Sequence, residues 1–141
     1  MPLEAIIKDP LSYLISPISK TEFFKTYHEK EALLSKHNDA NRFHGLLSID
    51  RIDEIIASTE LPPSSLDMVR KEPPIERSYY TFKNGNIDRG AVIRHYQEGA
   101  TIILPQLHLA DEILAKFCRS LENVFSSHVQ TNIYLTPGSS Q

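Results

Sequence analysis

At 141 residues the chain suits one domain with a buried core. Its formal charge of −3 and sequence pI near 6.0 exclude the basic footprint of a nucleic-acid binder. A single cysteine, Cys118, excludes an internal disulfide, and no apolar window approaches a membrane span. The expectation is a soluble, cytoplasmic protein with neither nucleic acid nor membrane as partner, and with no secretory leader, since Glu4, Lys8 and Asp9 interrupt the apolar start.

In chain order, Pro2 to Pro17 reads as an extended lead-in, because Pro10 and Pro17 discourage a continuous helix. Ser19-Lys20-Thr21-Glu22 predicts a capping box, with Ile18 and Phe23 as a hydrophobic staple. The helix it opens is expected to carry Phe23, Phe24 and Tyr27 and to end before the polar turn 37–41. Ser48 or Asp50 is placed to cap a second helix bearing Ile49, Ile52, Ile55 and Ile56. Pro62 and Pro63 end that unit.

Two short strands are predicted next, Leu66 to Arg70 and Ser78 to Phe82, followed by a turn at Asn84-Gly85-Asn86. Asp88 is the expected cap of a helix with Val92, Ile93 and Tyr96, and Gly99 its left-handed terminus. Ala100 to Leu104 is a β-branched run and reads as a strand. The longest helix is predicted from about Leu107 to Phe125, with Cys118 as a buried, inert thiol.

From Val129 the chain alternates strictly. Val129, Thr131, Ile133 and Leu135 fall on one face of a strand, and Gln130, Asn132, Tyr134 and Thr136 on the other. Pro137-Gly138 stops it, and Ser139 and Ser140 finish a turn. On an open sheet Asn132 and Tyr134 face water; in a small barrel they face a ligand.

No self-sufficient active site is visible. The one His-x-Asp, His37-Asn38-Asp39, sits in a segment whose Asn and Asp content fits turn chemistry. A facial triad needs His and Asp on a rigid strand with a second His converging from far along the chain. The other histidines, His28, His44, His95, His108 and His128, show no ligand spacing. No phosphate loop, nucleophile elbow or paired catalytic carboxylates appear. Neither a catalytic residue nor a metal ligand is therefore assigned.

The run Asn132-x-Tyr134-x-Thr136-Pro137-Gly138-Ser139-x-Gln141 resembles the lead into the catalytic motif of the JmjC-like cupins. These are relatives of the ribosomal-protein histidyl hydroxylases, which use iron(II) and 2-oxoglutarate. Leu14 to Ser19, Glu22-Phe23-Phe24 and Glu29 to Leu34 are similar to the family's N-terminal segment, with Tyr27 where Trp is usual and Ala32 where Pro is usual. Gly99-Ala100-Thr101 resembles the family's Gly-x-Thr strand.

The resemblance implies an α+β fold in which residues 1–141 form a single domain, the helix-rich N-terminal portion of a jelly roll (double-stranded β-helix) that is incomplete as given. It implies that Asn132, Tyr134 and Thr136 line the substrate or co-substrate site, and that iron(II) and 2-oxoglutarate serve the complete domain without binding residues 1–141 alone. The family continues past this point with Gly-Phe-x-x-His-x-Asp, so the metal triad is expected beyond Gln141. At Ile103 the ribosomal hydroxylases tend to carry a substrate-contacting Arg, which implies a different substrate here. The alternative is a non-enzymatic module that pairs as a homodimer, or with another partner, through an open sheet edge.

Overall fold

Prolines open two helices at the start of the chain instead of breaking them. In the computed structural model, which describes residues 2–58 and 60–138, Pro2–Lys8 is helix α1 and Pro10–Ile15 is helix α2. The extended lead-in expected there is wrong, for a definite reason. Proline is harmless in a first turn, where its missing N–H has no partner to lose. Asp9 supplies the cap, accepting from the Ser12 amide at 3.3 Å and the Ser12 hydroxyl at 2.9 Å.

The chain divides into two compact units: one takes residues up to Ser48 together with Glu112–Val129, the other Ile49–Asp111 together with the segment from Gln130. In the first, Ser19 caps helix α3, Lys20–Glu22, as the sequence predicts, accepting from the Glu22 amide at 3.1 Å. The Glu22 carboxylate turns forward to Thr26 at 2.6 Å rather than back to its cap. The helix widens to a π-turn over Phe23–Tyr27, where the His28 amide reaches the Phe23 carbonyl, and Glu29 then takes a left-handed φ of 58°. It therefore stops well short of the 37–41 turn.

The second unit contributes two helices, α4 (Ile49–Ser58) and α5 (Arg89–Gln97), before the chain returns to the first unit as helix α6, Glu112–Phe125. Helix α6 buries Leu114, Cys118 and Leu121. It packs on α1 and α2, where Ile6, Leu11 and Ile15 are buried, and the Ser120 hydroxyl donates to the Ile7 carbonyl at 2.7 Å. At its end Phe125 stacks on His28 with centroids 5.5 Å apart. The predicted start at Leu107 is too early. Leu107–Leu109 is a separate 3-10 turn in the second unit.

Helix α4 buries Ile52, Ile55 and Ile56. Its Arg51 Nε donates to the buried Asp111 carboxylate at 2.9 Å, and its Nη1 to Glu54 at 2.7 Å. These carboxylates, Glu54 foremost, hold the Arg51 guanidinium above its ordinary pKa. Helix α5 starts at Asp88, whose side chain accepts from the Ala91 amide at 3.2 Å, and ends before Gly99 at φ 104°. Both end signals are where the sequence puts them.

Three strands form one antiparallel sheet in the order β1-β2-β3: Asp67–Val69, Thr101–Leu104 and Ile133–Leu135. The strand expected over Ser78–Phe82 is instead a 3-10 turn at Arg77–Tyr79 followed by a single bridge, Thr81 to Ile87. Arg77 explains it. The guanidinium donates to the carbonyls of Leu66 and Pro63 and to Asp67 Oδ1, and the turn drives Tyr80 into the core at 3% exposure. There the Tyr80 hydroxyl accepts from the Met68 amide at 3.3 Å.

Two of these carboxylates give measurable effects. Lys20, at 3.0 Å, and Ser12 hold the Asp9 carboxyl below its ordinary value of 3.8. A depressed carboxylate stabilises the fold above its unfolded pKa, and that stabilisation is lost as pH falls through the lower folded value. Asp9→Ala should cost about 1 kcal/mol at neutral pH, and the gap to wild type should narrow below pH 3.8, both read by urea denaturation. Asp111→Ala removes a buried acceptor of a charge-assisted bond and should cost about 2 kcal/mol in the same measurement.

Candidate functional site

The alternation in the last segment decides which side chains share a sheet face. The register pairs Asp67 with Ile103 and Ile103 with Tyr134; on the neighbouring rungs Met68 pairs with Ile102 and Ile102 with Leu135. Met68, Ile102 and Leu104 are buried on one face, with Ile133 and Leu135 beside them half-buried. The other face carries Asp67, Val69, Thr101, Ile103 and Tyr134. It is open: Tyr134 is 66% and Val69 50% exposed.

Asn132, Tyr134 and Thr136 are all exposed, as the alternation predicts, but the strand expected from Val129 to Thr136 is paired only over Ile133–Leu135, so Asn132 and Thr136 flank it. They are not equivalent chemically. Thr136 shares a hydrogen bond with the Thr101 hydroxyl at 3.0 Å, which ties the end of β3 to β2. Asn132 Oδ1 accepts from the Gln106 amide at 2.9 Å, leaving its NH2 group to donate outward. Gln106 sits in the left-handed region at φ 49°, a conformation that disfavours a residue with a Cβ. Asn132 thus fixes the turn after β2. The Leu107 amide bonds the Thr131 carbonyl at 2.9 Å, and the Thr131 amide bonds His108 Nδ1 at 3.2 Å, extending the same join.

Tyr134 has the freest chemistry of the three. Its phenol stands on the open face beside Ile103, its partner in register, and one strand further on lies Asp67, already occupied by Arg77 at 2.5 Å. Arg77 and Tyr80 are supports of this sheet that sequence reasoning missed. The turn that places them looked like a strand, and no spacing signal tied Arg77 to Asp67.

His37 and His95 have partners within their own units. His37 Nε2 lies 3.1 Å from the Ser35 hydroxyl, and Asp39 Oδ1 accepts from the Asn41 amide at 2.9 Å, so His37-x-Asp39 is engaged in the turn it was read as. His95 Nε2 faces the Tyr79 carbonyl at 3.3 Å, and its Nδ1 lies 3.6 Å from Glu98. Among the described residues, no three His, Cys, Asp or Glu side chains gather as metal ligands. No helix of the described residues is long and apolar enough to cross a membrane. Pro137-Gly138 follows β3 as expected, while Ser139, Ser140 and Gln141 lie outside the described residues.

Comparison with known proteins finds relatives along almost the whole chain. The bifunctional lysine-specific demethylase and histidyl-hydroxylase NO66 of Drosophila mojavensis is 28% identical over 137 residues, covering 95% of this chain and 15% of the relative. The protein of the same name from Branchiostoma floridae is 28% identical over 130 residues, 92% of this chain and 21% of the relative. That of Dictyostelium discoideum is 26% identical over 131 residues, 93% and 25% respectively. The chain therefore spans a quarter or less of the length of these three relatives. No family model matches it.

Asn132→Ala should lower stability by about 1 kcal/mol by leaving the Gln106 amide without its acceptor. Asn132→Asp, which keeps an acceptor, and Tyr134→Phe, which alters only an exposed hydroxyl, should each stay within about 0.5 kcal/mol of wild type in thermal unfolding.

Proposed function

From the relation of this chain to the JmjC-like ribosomal oxygenases, we propose that it acts as the N-terminal part of an iron(II)- and 2-oxoglutarate-dependent oxygenase domain. In this reading residues 1–141 belong to one catalytic domain, and β1, β2 and β3 are the first strands of its jelly roll. Asn132, Tyr134 and Thr136 line the substrate side. The observation that carries the reading is the agreement of two independent facts. Similarity to histidyl-hydroxylases runs through 92–95% of the chain, and the three residues singled out by the resemblance are all exposed, Tyr134 on β3 and Asn132 and Thr136 on either side of it.

The described residues do not fit iron by themselves, since no ligand set gathers among them. What this chain contributes is positioning. Tyr134 offers a phenol that donates or accepts one bond, and Asn132 an amide that donates while its oxygen braces the Gln106 turn. Ile103 lies beside Tyr134 on the same face. An aliphatic residue there makes no charge-assisted bond, so we assign the substrate to a peptide or small molecule that needs no arginine at this point. The buried thiol of Cys118 suits a reducing, cytoplasmic compartment.

The test is calorimetric titration with manganese(II) as an inert stand-in, with and without 2-oxoglutarate. Residues 1–141 alone should show no metal-dependent binding of 2-oxoglutarate. The complete reading frame that carries them should bind one metal and, supplied with iron(II), turn 2-oxoglutarate over, with Tyr134→Phe slowing coupled turnover about tenfold. A one-to-one site in residues 1–141 that disappears with His37→Ala or Asp39→Ala would refute this assignment. So would a complete reading frame without metal-dependent binding.

A further inference from the structure

The unit that holds α1, α2 and α6 contains a cleft of about 860 Å³. That volume lies in the range of roughly 300–1,000 Å³ used for small-molecule ligands. Its wall is cationic in a chain whose net charge is −3. Lys8 comes from the end of α1, Lys20 from the start of α3, and Arg42 from the loop that follows. Asp9 is the one carboxylate among the lining residues, and Lys20 neutralises it at 3.0 Å. Among the described residues, neither Lys8 nor Arg42 has a carboxylate within ion-pair distance.

Arg42 is held before any ligand arrives. Its guanidinium carbon sits 4.3 Å from the Tyr13 ring centroid and 5.0 Å from that of Phe43, and one terminal nitrogen donates to the Tyr13 carbonyl. The Tyr13 hydroxyl returns the bond to the Arg42 carbonyl at 2.7 Å. A planar fork fixed in this way keeps further N–H donors for an oxyanion at little entropic cost. Lys8 adds a mobile point charge, and Asn123 of α6 an amide, from other sides of the same cleft.

We propose that this cleft binds a small organic anion through a phosphate or carboxylate head group, with Arg42 as the directional contact and Lys8 as the second charge. The cleft is too large for a bare ion to fill. Its apolar wall at Ala5, Pro10 and Val124 suits the body of an organic molecule. The proposal does not rest on the oxygenase reading, and it needs no metal.

The experiment is metal-free calorimetry on the chain with two probes, adenosine monophosphate and citrate. At least one should bind one-to-one with a submillimolar Kd. The affinity should fall several-fold when salt rises from low to physiological strength, as exposed charges are screened. Binding of the nucleotide alone assigns a phosphate ester, and of citrate alone a polycarboxylate. Arg42→Lys keeps the charge but loses the fork, and should weaken binding about tenfold. Lys8→Gln changes an exposed residue and should weaken it several-fold while unfolding at the wild-type temperature. No saturable binding of either probe, or binding untouched by Lys8→Gln and Arg42→Lys alike, overturns the proposal.

Discussion

The backbone ladder of β2 is the constraint on which the sheet-bearing unit depends. Thr101–Leu104 is paired on both sides, with β1 and with β3, and so fixes which residues of two distant segments stand opposite each other. A slip of one residue would exchange the two faces of a strand. It would put Ile133 and Leu135 beside Tyr134's present neighbours and turn the phenol against Met68 and Leu104. The buried side chains of Ile102 and Leu104 forbid that slip, because burial of each branched side chain is worth roughly 1.5–3 kcal/mol. Two specific bonds then lock the ends, Thr101 to Thr136 and Gln106 to Asn132. The open face is thus a consequence of what the other face buries.

Several signals that act within four residues were legible in the sequence, though the Asp9 cap was not and the Glu22 half of the capping box did not form. Ser19 and Asp88 cap where they should, Gly99 takes its positive φ, and Ile52, Ile55 and Ile56 of α4 face inward. The alternation around Ile133 and Tyr134 was readable for the same reason: a period of two needs no knowledge of the partner strand. The opening helices were lost because Pro10 was weighed as a breaker although Asp9 beside it is a cap, and that cap makes the proline a first-turn residue. The candidate site was legible only as a face. That Asn132 braces Gln106 could not be read, since 26 residues separate them and a left-handed glutamine leaves no mark in composition.

The Ser78–Phe82 segment shows tertiary contacts overruling local propensity. Its tyrosines and phenylalanine favour a strand. Arg77 nevertheless has three oxygen acceptors waiting in the Pro63–Asp67 stretch, and satisfying them curls the following residues into a turn. Tyr80 then gains burial and a partner for its hydroxyl together. Any arrangement that turned Tyr80 outward would have left the Met68 amide needing another acceptor.

Asp9 joins local folding to charge placement in the helical unit. The same carboxylate that caps α2 through Ser12 also draws in Lys20, and its lowered pKa reflects both bonds, with Lys20 the larger cause. With that pair internally compensated, the excess positive charge of the cleft wall rests on Lys8 and Arg42. Arg42 is restrained by Tyr13 in both directions, side chain to backbone each way, which is a costly arrangement for a residue serving only to cover a ring. A guanidinium with no carboxylate partner among the described residues, immobilised over two aromatic rings beside a cleft, is organised for an anion from outside the chain.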